Sequence, residues 1–280
     1  MVSSDQRRRQ LAREKFARQQ ERRESARHKA KRRNAIIATS LVVVLAASGG
    51  AVAAGAFKGD DAKQKPDAEA APSPSSPVKD PCDKAAGGEV EKLSYKKEPA
   101  LTVDKSADYA MKLATTCGDI DIDLNAAAAP RTVNSFDFLV NKGYLDHTKC
   151  HRLTEQGIYV LQCGDPKGTG TGGPGYTLPD ENLKDKSLKG NVYPAGTVAM
   201  ANQYNAQTKE GRDTGGSQFF LVYQDSQLPP DYTPFGTISE GGMKVLRKIA
   251  AAGAAQPDPT TGNTAPNATV VIDKATVRKS

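Results

Sequence analysis

Gly118–Leu124 reads GDIDIDL: Ile120, Ile122 and Leu124 alternate without a break against Asp119, Asp121 and Asp123. Side chains of a strand point to opposite faces in turn, so this period of two predicts a half-buried strand, entered by a turn at Cys117-Gly118. Tyr109, Met111 and Leu113 repeat the pattern just upstream, and TVAMAN, SQFFLVY and TVVIDKATV are further strand candidates between glycine and proline turns. In SQFF the alternation places Gln218 and Phe220 on one face and Phe219 and Leu221 on the other. An amide beside an aromatic ring is an unusual pairing for a face turned to solvent.

The period shifts to a helical one twice. Val133, Phe136 and Val140 form one stripe, with Thr132 as the expected N-cap and Gly143 as the stop. Met243, Leu246 and Ile249 form another, ending at Gly253. Many strands with two helices predict a mainly β domain over residues 93–280, an antiparallel barrel closed on itself with helices over its ends.

A different pattern precedes this domain. Ala35–Phe57 runs for 23 residues without a charge, long enough to cross the hydrocarbon core of a bilayer as one transmembrane helix. Ala35–Ala47 followed by Ala54-Gly55-Ala56 also has the form of a cleavable signal. The 34 residues ahead of it are long for such a signal, which favours an uncleaved anchor. Residues 58–92 are rich in proline, alanine, serine and charge, the composition of a disordered spacer.

Charge sharpens this division. The net +7 is not spread evenly: residues 1–34 hold 13 Lys+Arg against 4 Asp+Glu, and the remaining 246 residues hold 26 against 28. The basicity belongs to the tail, so no nucleic-acid partner is expected for the folded part. A basic tail beside an apolar span orients it, tail in the cytoplasm on anionic headgroups and domain outside. The expected location is the cell membrane, single-pass, with the domain extracytoplasmic.

Candidate chemistry gathers in CHRLTEQGIYVLQCGD, Cys150–Asp165. His147, Cys150, His151 and Cys163 supply only one of the two short clips that structural zinc sites use, so no metal is expected. Cys163 has no evident base to make it a nucleophile. Four cysteines allow three pairings. If Arg152 and Gln162 share a face, alternation sets Cys150 and Cys163 on opposite faces, against a bridge between them; a twist at Gly164 keeps that bridge open. Arg152 and Gln162 remain, a guanidinium and an amide on adjacent predicted strands, with Tyr159 and Val160 as apolar neighbours.

From about Tyr109 to Val277 the chain resembles the cyclophilin family of peptidyl-prolyl isomerases. The resemblance rests on six elements in order: His151-Arg152, QCGDP, GTGTGG, Ala199–Asn202, Gly216–Phe220 and Phe235-Gly236. It implies an eight-stranded antiparallel closed β-barrel capped by two helices, acting on X–Pro bonds of polypeptides as a monomeric domain without cofactor. It assigns catalysis to Arg152, Gln162 and Phe220. It assigns the proline pocket and groove to Tyr159, Val160, Gly170, Ala201, Asn202, Gln203, Gln218, Leu228 and Tyr232. The sequence departs from the family pattern at Tyr159, Val160, Gln227 and Tyr232, and two extra residues separate Arg152 from Gln162. Those departures leave a second expectation, a proline-peptide-binding or chaperone module with weak catalysis.

Overall fold

The structure, a computed structural model, describes residues 80–258 and 263–279. The basic tail, the apolar span Ala35–Phe57 and the spacer up to residue 79 lie outside the described residues. Among the described residues no helix is long and apolar enough to cross a membrane.

Nine strands form one antiparallel sheet. In chain order they are β1 (Tyr109–Thr115), β2 (Gly118–Leu124), β3 (Thr148–Lys149), β4 (Arg152–Leu153), β5 (Val160–Cys163), β7 (Thr197–Met200), β8 (Phe219–Val222), β10 (Pro234–Ile238) and β11 (Val271–Lys279). Their order in space is β3-β11-β1-β2-β10-β7-β8-β5-β4. The short strands β6 (Val192–Tyr193) and β9 (Ser226–Gln227) pair separately. The sheet curls strongly but does not close, which corrects the expected closed eight-stranded barrel. Its two edges, β3 and β4, are successive pieces of one segment. Cys150 donates its backbone N–H to Val270 on one side, and His151 donates to Gln162 on the other. Neither piece is long enough to pair along both edges.

The alternation read from sequence holds in β1 and β2. Met111, Leu113, Ile120 and Ile122 are fully buried, while Asp119, Asp121 and Asp123 stay outside. A one-residue slip would invert every side chain, so this burial fixes the register. Phe136 from α1 (Pro130–Asn141) enters the same core, stacked on Phe235 at 4.7 Å and edge-on to Phe219 at 5.4 Å. The helix α2 (Glu240–Ala251) buries Met243, Leu246 and Ile249, starts at the Ser239 cap and lies close on β2 at Gly242.

Thr132 is not the N-cap of α1. Ala129 holds that position and has no side chain to accept the free amides. Glu181, some fifty residues on, does so instead: its carboxylate accepts from the backbone of Arg131 at 3.1 Å and of Thr132 at 2.9 Å, and from the Thr132 hydroxyl at 2.8 Å.

Residues 80–92, placed by sequence in the spacer, are tied to the domain. Cys82 is bonded to Cys117, Asp83 N–H donates to Thr116, and Ala86 N–H donates to Asp273. Cys150 and Cys163 form the second disulfide. Alternation argued against this bridge, yet it does not reach back to Cys150: the ladder of β4 begins at Arg152, and Cys150 lies before it. Gly164, at φ +85°, lets the chain leave β5 directly against Ser217, whose carbonyl a Cβ would meet at 2.1 Å.

Because Glu181 caps α1 from a distance, Glu181→Ala should lower unfolding stability by about 1–2 kcal/mol, as loss of an N-cap does. Urea titration against the native chain checks this; an unchanged midpoint would show that the helix end needs no carboxylate.

Candidate functional site

Strands β5, β8 and β7 are buried on both faces. Leu161, Cys163, Phe219, Leu221, Val198 and Met200 enter the main core. Val160, Phe220, Val222 and Ala199 point the other way and gather with Tyr193 into a second, smaller cluster. Leu188, Ala201, Leu228 and Tyr232 cover that cluster only in part. The uncovered side is a cavity of about 570 Å³.

The register brings the polar groups onto this face. Arg152 pairs across from Gln162, and Gln162 across from Phe220. The Gln162 amide accepts from Arg152 Nη1 at 3.3 Å and donates from Nε2 to Gln218 at 2.8 Å. Gln218 in turn donates to the Gly172 carbonyl at 2.9 Å. Among the described residues no carboxylate lies within ion-pair distance of Arg152. Its guanidinium is therefore held by a neutral amide and presents its charge to the cavity. Aromatic rings frame the apolar floor: Phe220 meets Tyr232 at 5.5 Å and Tyr193 at 6.1 Å, both edge-on.

Most residues expected from sequence meet here. Arg152, Gln162, Phe220, Val160, Gly170, Ala201, Asn202, Leu228 and Tyr232 line the cavity. Gln218 and Gln203 line an adjoining groove with Gly170, Ala201 and Asn202. Tyr159 does not join them. It alternates with Val160, so its ring turns to Tyr223 at 5.9 Å, and Ile158, two residues before Val160, lines the cavity instead. The period-two pattern alone would have found Ile158. His151, Thr169, Thr171 and Asn263 also line the cavity.

Two titratable groups shape the rim. His151 is buried, and burial holds its pKa below the ordinary histidine value, so the ring is neutral near pH 7 and adds no second charge beside Arg152. Asp165 is fully buried at the head of the glycine-rich loop. Burial alone would raise its pKa, but backbone amides of Lys167, Gly172, Gly170 and Thr169 together outweigh it and hold the carboxyl below the usual range. Those amides are thus turned inward on the protein's own carboxylate.

A larger cavity, about 920 Å³, lies between residues 94–101 and α1 and contains none of these side chains. Chemistry favours the smaller one, where a fixed cation faces an apolar floor.

The domain is thus a curled antiparallel sheet with an apolar, cation-bearing cleft on its outer face. Comparison with known proteins narrows the class. Residues 110–277 match the family model described as cyclophilin type peptidyl-prolyl cis-trans isomerase/CLD. The chain belongs to this family. It is 51% identical over 157 residues to a probable peptidyl-prolyl cis-trans isomerase B of Mycobacterium leprae, a match covering 53% of this chain and 51% of that one. It is 40% identical over 125 residues to peptidyl-prolyl cis-trans isomerase B of Bacillus subtilis, covering 44% of this chain and 77% of that one. Among solved structures, a cyclophilin type isomerase of Cryptosporidium parvum aligns with 62% of this chain and 99% of its own at 25% identity, with a TM-score of 0.47. The matched region spans about half the length of the mycobacterial relative.

Asp165 gives a pH prediction with a definite sign. A depressed carboxyl contributes stability that is present above the unfolded value of ~3.9 and is lost as pH falls through the lower folded pKa. The carboxyl carbon resonance of Asp165 itself should show no titration from pH 7 to about 4.5 and move only below it. Movement centred near pH 6 would contradict this.

Proposed function

We propose that the domain catalyses cis–trans isomerisation of X–Pro peptide bonds in polypeptides. The observation that carries this reading is Arg152, uncompensated by any described carboxylate and fixed by Gln162 at the edge of an apolar pocket.

The reaction needs neither nucleophile nor metal. Amide resonance sets a barrier of ~18–20 kcal/mol to rotation. Whatever weakens the partial double bond at the prolyl nitrogen lowers it. The pyrrolidine ring sits on Phe220, Val160, Leu228 and Tyr232, which hold it while the preceding carbonyl swings. Arg152 donates toward the prolyl nitrogen as that atom becomes pyramidal and its lone pair becomes available. The interaction is stronger in the twisted state than in either planar one, which is the condition for acceleration. Gln162 and Gln218 keep the guanidinium in place beforehand, so no reorganisation is needed at the top of the barrier. Ala201, Asn202 and Gln203 guide the chain on the amino side of the proline, and Gly170 leaves room at the rim. The neutral His151 leaves the local field to Arg152.

The clients are exported proteins in this reading. Ala35–Phe57 anchors the chain, the Lys/Arg-rich residues 1–34 stay on the cytoplasmic side at anionic headgroups, and the domain works outside. Both disulfides suit an oxidising compartment. A second reading is a proline-peptide-binding module with little turnover. It is favoured by Tyr232, whose backbone is locked to the Tyr193 hydroxyl and whose ring fills part of the pocket.

Proline isomerisation measured with the native chain and with Arg152→Ala separates these readings. The isomerase reading expects acceleration by the native chain and a loss of about a hundredfold in kcat/KM in the variant, with binding of a proline peptide weakened far less. Binding without acceleration by the native chain would leave the binding module. For the location, the full chain expressed in cells should fractionate with membranes, resist carbonate washing and be released by detergent. Recovery in the soluble fraction would remove the anchor from the proposal.

A further inference from the structure

The loops beyond the proline pocket converge on Arg212. Its guanidinium reaches the Asp180 carboxylate at 3.3 Å, the Asp231 carboxylate, and the Asp231 backbone carbonyl at 3.4 Å. One face stacks on the Tyr204 ring at 3.5 Å. The acceptors are largely withdrawn from water, with side chains 8% and 16% exposed. Asn202 joins the same cluster, donating to Asp180 at 3.2 Å and to the Asp231 carbonyl at 2.8 Å. Three segments distant in sequence are thus fastened at one point.

Two of these segments carry pocket residues. Asn202 lines the cavity, and Tyr232 follows Asp231 directly. Arg212 itself lines neither the cavity nor the adjoining groove. Removing the guanidinium would leave two mostly buried carboxylates turned to the same space without a counter-charge, and separation of their loops would relieve that. Separation carries Asn202 and Tyr232 away from Phe220.

We propose that Arg212 is a positioning residue for the peptide site: by holding the segments of Asn202 and Tyr232 together it sets affinity for the proline-containing chain, without touching that chain. The inference rests on the site assigned above.

The test compares native, Arg212→Gln and Arg212→Lys full chains, each for isomerase kinetics and for direct binding of an Ala-Pro peptide by NMR titration. Arg212→Gln should raise both KM and Kd about tenfold, equivalent to about 1.4 kcal/mol, with kcat changed less than about twofold. Arg212→Lys should recover part of this, since an ammonium keeps the charge but not the fork or the stacking plane. A fall in apparent kcat at unchanged KM and Kd, the mark of lost folded protein, would overturn the proposal, as would unchanged constants throughout. If Arg212→Gln does not fold, Tyr204→Leu takes its place. It leaves both ion pairs intact and should raise KM and Kd about threefold; no change there overturns the proposal. A native chain that binds the peptide without turning it over defeats the isomerase reading alone, and the Kd ratios still decide on Arg212. A native chain that does neither defeats both.

Discussion

Burial of β5, β8 and β7 on both faces is the constraint from which the site follows. An antiparallel sheet commonly keeps one face wet. Here the inner face supplies the main core through Leu161, Phe219, Leu221 and Val198, and the outer face supplies Val160, Phe220 and Ala199 to a second cluster. The second cluster is too small to finish its own covering. Leu228 and Tyr232 close it from one side and leave the other open, so Val160 and Phe220 line the cavity. Register ties the two faces together: Phe220 can face out only because Phe219 and Leu221 face in. The packing of the core thus decides where the pocket lies and which side chains floor it.

The polar half of the site obeys the same economy of direction. A carboxylate beside Arg152 would hold it more firmly but would also cancel the field it presents. Gln162 holds it without cancelling the charge, and is itself held by Gln218 and the Gly172 carbonyl. That carbonyl belongs to the glycine-rich loop, which Asp165 organises from within through the amides of Lys167, Thr169 and Gly170. A glycine-rich loop with its amides turned outward is a phosphate cradle. This one has them satisfied by its own carboxylate, so it serves as a rigid wall.

Much of this was legible in the sequence where a period or a pairing is strictly local. The alternation in Gly118–Leu124 and the helical stripes of Val133, Phe136 and Val140 and of Met243, Leu246 and Ile249 read directly as burial. The Arg152–Gln162 pairing followed from two short strands. What failed did so for reasons of range. Alternation was relaxed at Tyr159, where it should have been kept, and extended to Cys150, where the strand had not yet begun. Thr132 looked like a cap because a capping side chain is expected nearby, whereas Glu181 arrives from another loop. No local pattern joins Asp180, Arg212 and Asp231, since only the folded loops bring them together. The open edge of the sheet likewise depends on the change of partner at Cys150-His151, which no periodicity marks.

The segment ahead of the family's matched region completes the architecture. Residues 80–108 run over the domain, bonded at Cys117 by the disulfide, at Pro174 by the Tyr95 amide, at Asn134 by Thr102 and Val103, and at Lys279 by Asp104. The Pro174 contact falls in the glycine-rich loop, and the Asn134 contact on α1. On its N-terminal side the segment is fastened by Asp80, whose carboxylate accepts from the Thr269 amide, and by the Cys82–Cys117 bond into the turn between β1 and β2. That turn binds the start of β11, where Thr116 meets Thr269 and Val271, and Val270 between them accepts from the Cys150 amide, two residues before Arg152. The place where the N-terminal segment is fastened is thus joined, through the start of β11, to the segment that carries Arg152.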